Sequence, residues 1–380
     1  MPDVAVPIPD PTDAAPRSDS PDAGGAIDLA DDSPTKAKST SAVRTAVAGI
    51  AMVVLAVAVL WWLSPRMDAQ TLVVYCAHDA EFAEPILRDF ERETGITLAI
   101  RYDTEANKSL GLVNRIVSER DQPQCDVFWN NELLGTLELA REGLLEPYIG
   151  TGHRRIPPQY RDEEGLWTGF AARLRMYIVN PQALAADESA IRERLDSADL
   201  SRVTIAKPMF GTTLTQYCLW WSVWGGEETI SRQREWQRRG LKLADGNAMT
   251  KNLVAGGACD LGFTDTDDYF GALDAGRPVA GLPVRVEGKT ICIPNTVAMI
   301  KGSAHTEAAQ SLIDFLLSAE TEIALARSAS RQIPLGDVDE AQLPAEVRPL
   351  RTWASESADL RPLISIRNDV LNWLRGEYVP

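Results

Sequence analysis

LVVYCAHDAEFAEPILRDFERETGITLAIRY, residues 72–102, decides the fold class of this chain. Its ends, LVVYC (72–76) and ITLAIRY (96–102), are short apolar runs, and each predicts a strand. Between them Phe82, Ile86 and Phe90 recur at helical spacing, and Gly95 stops the helix they mark. Leu110, Val113 and Val117 mark a further helix, CDVFW (125–129) a third strand, and Leu133, Leu137 and Ala140 a helix ending at Gly143. This β-α-β-α-β-α order predicts a mostly parallel sheet covered by helices on both faces.

A second series of the same kind starts near LRMYIV (174–179). It runs through VTIA (203–206), a Trp-rich helix (213–224), LKLA (241–244), a helix over 247–255, CDLGF (259–263) and a helix after Thr266. TICIPNTVAMI (290–300) is then a long extended stretch interrupted by Pro294, followed by helices around 305–317, 319–327 and 363–375. Two α/β units in one chain are expected, lobe one over 70–172 plus 298–380 and lobe two over 173–297. Trp220, Trp221 and Trp224, at helical spacing, are expected in the core.

Upstream the composition changes. Residues 1–42 are rich in Pro, Asp, Ser and Ala, which cannot bury enough apolar surface to offset the entropy of ordering, so this tail is expected to be disordered. Thr45 to Leu63 is an uncharged run about as long as the ~20 residues a membrane-spanning helix needs. Lys36, Lys38 and Arg44 precede it, and Trp61 and Trp62 close it. An uncleaved anchor over 43–63 is expected, with the tail in the cytoplasm and the main domain outside.

The net charge of −16 argues against nucleic acid as a partner. None of the five cysteines forms a CxxC pair, which excludes zinc-ribbon and thioredoxin-like readings. There is no G-x-S-x-G elbow, GxxxxGK[ST] loop or HExxH helix. Cys76 and His78 are a conceivable nucleophile and base, but no third orienting group accompanies them.

Open parallel sheets bind ligands beyond the carboxyl ends of their strands. That rule selects five polar loops: Cys76 to Glu81, Asp103 to Ser109 (with Glu105), Asn130-Asn131-Glu132, Gly211 to Gln216, and Thr264 to Tyr269. Asp, Thr and Asn at such junctions are also ordinary helix caps. Several of these loops carry more polar groups than a cap uses. Asp265, Asp267 and Asp268 crowd three carboxylates into four residues, where repulsion needs a cation, donors or solvent to relieve it. Thr212, Thr213 and Thr215 offer hydroxyls beside helix N-terminal amides, a fit for an oxyanion.

Several segments resemble type II periplasmic solute-binding proteins of ABC importers, in the ferric-ion and thiamine-like group. YCAHDAEFAEPILRDFERETGITL is similar to that family's opening, where a strand ending in Tyr leads to a helix and a TGI turn. CDVFWNNELLGTLELAREGLLEPY, FAARLRMYIVNP, KGSAHTEAAQSLIDFLLSAETE and RQIPL are similar to its later segments, in order. The resemblance implies a hinged two-lobed α/β clamp that is not an enzyme, works as a monomer without a cofactor, and hands its solute to a permease and ATPase. Ferric members bind iron through tyrosines, including a Tyr-Tyr pair. Here the matching positions read Asp267 and Asp268, with Tyr269 just beyond, and the early loop reads His78-Asp79. Carboxylates keep hard oxygen donors while losing the selectivity of tyrosinate for Fe(III).

The expected metal-facing group is therefore His78, Asp79, Asp267, Asp268 and Tyr269. Tyr75, Glu105, Asn130, Asn131, Thr212, Thr213, Thr215, Asp265 and Thr266 are expected to contact the rest of the solute. The solute is iron(III) or another metal cation, with or without an oxyanion. A small organic cation, a phosphorylated solute, and a sensory use of the same clamp stay open.

Overall fold

The computed structural model describes residues 71–103 and 110–378. The tail over 1–42, the span over 43–63 and Glu105 lie outside the described residues. Among the described residues no helix is long and apolar enough to cross a membrane.

Strands β1 (Leu72–Cys76), β2 (Leu98–Tyr102) and β3 (Val127–Asn130) form a parallel set in the order β2-β1-β3. Both faces of this set are covered, so β3 is buried at all four positions. The helix Ala80–Thr94 packs through Ala83, Ile86, Leu87 and Phe90, and Gly95 ends it in the left-handed conformation with its N–H returned to the Glu91 carbonyl. A two-residue strand, β4 (Leu145–Glu146), follows the helix Leu134–Arg141.

β5 (Thr168–Val179) is the element that joins the halves, and it begins six residues before the stretch the sequence suggests. Beyond it come β6 (Val203–Ala206), β7 (Lys242–Ala244), β8 (Leu261–Asp265), β9 (Ala280–Pro283), the hairpin of β10 (Arg285–Val286) and β11 (Lys289–Thr290), and β12 (Cys292–Ile300). The large sheet runs β2-β1-β3-β12-β5-β8-β6-β7. Residues 168–174 of β5 pair antiparallel with β12, and residues 175–179 pair antiparallel with β8 and β9. One strand thus belongs to both halves, with a parallel set on either side.

Pro294 does not interrupt β12. The register shifts between Pro294 and Asn295, which pair with Ala172 and Phe170, so Ala171 of β5 is the extra residue of a bulge. The bend in β5 is held from behind. Ala171 has φ +40°, and its N–H is bound at 2.7 Å by the fully buried carboxylate of Glu322. Four α-helices escaped the periodicity reading: Thr151–Arg155, Glu188–Asp196, Gly226–Arg238 and Arg348–Ser355. Of the tryptophans, Trp220 is buried and stacks on Trp224, while Trp221 and Trp224 are partly exposed.

Candidate functional site

A cavity of about 710 Å³ opens where the strands of the two parallel sets end. β1 leads to Asp79, β3 to Asn131, β6 to Lys207, β7 to Asp245, and β8 to Asp265, Asp267 and Asp268, and all of these line it. The helices Gly211–Trp224 and Asn247–Ala255 begin on the same wall, bringing Thr212, Thr213 and Asn247 with them. The carboxyl-end rule for parallel sheets therefore describes the cavity well.

The electrostatic centre is a pair of arginines on β5. Arg175 is fully enclosed and gives its N–H groups to Asp265 (2.8 Å), Gln216 (2.7 Å), Asn247 (3.1 Å) and Thr212 (3.3 Å). It faces Asp265 directly across the antiparallel β5–β8 register. Asp265 also accepts from the Thr212 hydroxyl at 2.6 Å and the Asn247 amide at 2.8 Å. Its lone pairs are committed to the fold. Two residues along, on the same face of the strand, Arg173 lines the cavity and is 6% exposed. Its guanidinium donates to the Asn131 carbonyl at 2.8 Å and lies 3.4 Å from Asp267 and 3.6 Å from Asp265.

Burial works against the charge on Arg173, but Asp267, Asp265, Asp79 and Asp268 overcome it and hold the guanidinium protonated. The carboxylates feel the converse. Burial raises the Asp267 carboxyl, Arg173 opposes that, and Asp265 and Asp79 add to it, for a net upward shift. Asp268 is pushed up to about 7 by burial and by Asp267 and Asp265, against the pull of the Thr264 hydroxyl and Lys251. Thr264 donates to Asp268 at 2.7 Å, and the Lys251 ammonium is 3.8 Å away. The Asn131 side-chain oxygen is buried at this wall with no hydrogen-bond partner.

Seven of the residues singled out in the sequence meet at the cavity: Asp79, Asn131, Thr212, Thr213, Asp265, Asp267 and Asp268. Six others lie elsewhere. The His78 ring is buried and stacks on Trp129, with centroids 5.5 Å apart, and the Phe82 ring is tilted against it at 5.9 Å. Tyr75 is buried on the far face of β1, where its hydroxyl donates to Glu119 and accepts from Arg115. The Asn130 amide donates to Glu132 and Thr136. The Thr215 hydroxyl returns to the Gly211 carbonyl, and the Thr266 hydroxyl accepts from the Leu174 N–H. Tyr269 packs on Phe270. Among the described residues no group of three or more His, Cys, Asp or Glu side chains is arranged to hold a metal ion.

Sequence reasoning missed Arg173, Arg175, Lys207 and Asn247. The arginines left a signal: two charges, two residues apart, inside a long apolar run. Cys76 gives no nucleophile. Its thiol lies against the His78 backbone carbonyl, and burial raises it far above the ordinary thiol range.

The family model of bacterial extracellular solute-binding proteins matches residues 72–328. The chain belongs to that family. It is a type II solute-binding protein of the kind that serves ABC importers, a binding protein and not an enzyme, and the family works outside the cytoplasm. An Fe(3+)-binding periplasmic protein of Serratia marcescens is 27% identical over 129 residues, which are 34% of this chain and 37% of that protein. The match therefore spans little more than a third of that relative. Iron-bound HitA of Pseudomonas aeruginosa superposes with a TM-score of 0.65 at 22% identity, covering 79% of this chain and 99% of HitA. The apo ferric ion-binding protein A of Pasteurella haemolytica gives 0.69 at 20% identity, covering 81% and 97%. This solute-binding protein thus shares their α/β fold.

Proposed function

We propose that this protein captures a hard metal cation, iron(III) foremost, with or without a small oxyanion, and delivers it to a permease driven by a separate ATPase. The observation that carries the reading is the acidic cavity wall. Asp79, Asp267 and Asp268 line the cavity, and the buried Asn131 oxygen beside them has no donor. Hard cations take oxygen donors of this kind. Asp79 and Asn131 follow strands of one parallel set, and Asp267 and Asp268 follow β8 of the other. The full ligand set then assembles only when the two halves close, and the solute shifts the open–closed equilibrium by its higher affinity for the closed form. Residues 43–63 anchor the domain to the outer side of the membrane in this reading, and the uncharged run with its basic flank supports it.

Native mass spectrometry of the protein purified without chelator, set against its denatured mass, tests the reading. A mass excess matching a metal, with or without a small anion, and lost in Asp267→Ala and Asp268→Ala, is the expected result. An anion alone, unaffected by either substitution, would overturn it. An excess matching an organic cation favours the second reading, a small organic solute. The cavity volume of about 710 Å³ and the Phe210 and Met249 side chains on its wall support that alternative.

A further inference from the structure

A buried charge in the C-terminal segment joins the two halves beside the cavity. Helix Leu134–Arg141 follows β3 in the first half, and helix Gly211–Trp224 follows β6 in the second. The short 3-10 helix Arg361–Ser365 packs on both, and helix Arg367–Tyr378 continues along the second half. There the Trp373 ring lies 6.1 Å from Tyr217 and 5.7 Å from Trp221. The Tyr378 hydroxyl accepts from Gln233 at 2.8 Å and Gln237 at 3.0 Å. Arg367 opens this helix and reaches the other way, to the Glu138 carboxylate of the first half at 2.6 Å.

Arg367 is 4% exposed, and its Nε is buried with no hydrogen-bond partner. It stands in a narrow gap between Glu132, Leu134 and Gly135 of the first half and Phe210, Gly211 and Leu214 of the second. Both sides of the gap lead to the solute cavity. Phe210 and Gly211 line the gap and the cavity alike, and Glu132 directly follows Asn131 of the cavity wall. The buried Glu132 carboxylate accepts from the N–H groups of Leu134 (2.6 Å) and Gly135 (2.7 Å), and the Arg367 charge favours its ionised form against burial. A buried cation is costly unless carboxylates meet it. Glu132 and Glu138 both belong to the first half, while the helix that carries Arg367 packs on the second. The charge is therefore well satisfied only while the halves keep this arrangement.

We propose that Arg367 is a positioning residue, a latch that holds the two halves in the arrangement seen here and keeps the Asn131 and Phe210–Gly211 edges of the cavity beside one another. Latch and solute then act on one equilibrium between open and closed halves. The inference goes beyond the identity of the solute and holds equally for a metal or an organic molecule.

The test reads the separation of the halves in the full-length chain with no solute added. Cysteines replace the exposed Glu81 of the first half and the exposed Ala248 of the second, and carry nitroxide labels. The five native cysteines are buried. Double electron–electron resonance then gives the distribution of label distances. Arg367→Gln is expected to lower the ratio of the wild-type separation to other separations by about fivefold. Glu138→Gln is expected to act in the same direction, and the double variant to go little further than Arg367→Gln. Arg367→Lys, which keeps the charge, is expected to recover most of the wild-type distribution. An unchanged distribution in a folded Arg367→Gln variant, with only its urea midpoint lowered, would make Arg367 a structural brace and overturn the proposal. So would an Arg367→Lys distribution no nearer to wild type than that of Arg367→Gln. If Arg367→Gln does not fold, Glu138→Gln decides alone, and an unchanged distribution there overturns the latch.

Discussion

Replacing Arg175 by methionine tests whether the cavity wall is built on a buried ion pair. Methionine keeps most of the apolar stem and removes the guanidinium. Four side chains lose a donor: Asp265, Gln216, Asn247 and Thr212. Asp265 is 3% exposed, so water does not replace the lost partner, and among the described residues the Thr212 hydroxyl and Asn247 amide remain as its hydrogen-bond donors. Removing one member of a buried pair costs about 3–5 kcal/mol when the other charge stays unpaired; the Arg173 guanidinium, 3.6 Å from Asp265, still partly neutralises it and puts the loss at the low end of that range. The orphaned Gln216 oxygen adds a penalty of about 1–3 kcal/mol where it cannot relax. A loss of about 4 kcal/mol is expected. Urea unfolding followed by far-UV circular dichroism reads it as a fall in midpoint at constant slope. The double variant Arg175→Met/Asp265→Asn removes both charges and should lose less than the sum of the single losses, by at least about 1.5 kcal/mol. A single-variant loss under about 1 kcal/mol, or strict additivity, would show that Arg175 does not hold the wall through Asp265.

Asp268 gives a pH signature. Its carboxyl is raised from 3.8 to about 7, so its contribution to stability is complete below 3.8 and is lost as pH rises through about 7. Thermal melts at pH 4 and pH 8 should therefore show wild type weakening toward pH 8 more than Asp268→Asn; parallel behaviour would count against the assignment. All five cysteines are buried and unpaired, and burial pushes Cys218 and Cys292 up to about 12. Ellman's reagent at pH 8 should find no reactive thiol in the folded protein and all five in concentrated guanidinium; rapid reaction of the native protein would refute the burial. Glu322 accepts from the N–H groups of Ala171, Leu335 and Gly336 and from Arg155 at 2.7–3.1 Å. Glu322→Gln places an amide N–H among those donors and is expected to cost about 2–4 kcal/mol in the same urea assay. A neutral outcome there would mean the bend at Ala171 is held by other contacts.

Most of the longer strands and helices were legible because each is a short apolar run or a face at helical spacing, and the parallel sets β2-β1-β3 and β8-β6-β7 follow from their alternation; β4, β9, β10 and the antiparallel pairing of β5 and β12 between the sets did not. Four helices were not legible, and the two of them nearest the chain's C-terminus show why. Gly226–Arg238 buries only Thr229 and Gln233, so it carries almost no apolar period. Arg348–Ser355 is eight residues long and buries Leu350 and Ala354, too little for a pattern to emerge. The loops at the strand ends were found by a rule of topology, and the cavity lies there. Which side chains of each loop face it was not legible, since one residue along a loop reverses the direction. His78 stacks on Trp129 in the core, while its neighbour Asp79 lines the cavity.

The acidic run Thr264 to Asp268 shows what the sequence withheld and why. Three carboxylates within four residues implied a compensating cation, and the nearest cations are in the chain itself. A buried arginine in a strand covered on both faces is costly unless a carboxylate meets it. Two such arginines, at 173 and 175, share one face of β5 by the two-residue period and therefore predict carboxylates on one neighbouring strand. The β5–β8 register supplies them, with Arg175 opposite Asp265 and Arg173 reaching Asp267 just beyond the strand end. Neither half of this pairing is interpretable without the other, because 90 residues separate Arg175 from Asp265 and only the shared sheet brings them together. The same pairing divides the acidic run by task. Asp265 is spent on the fold, and Asp267 and Asp268 are left facing the cavity with Arg173 as their partial neutraliser.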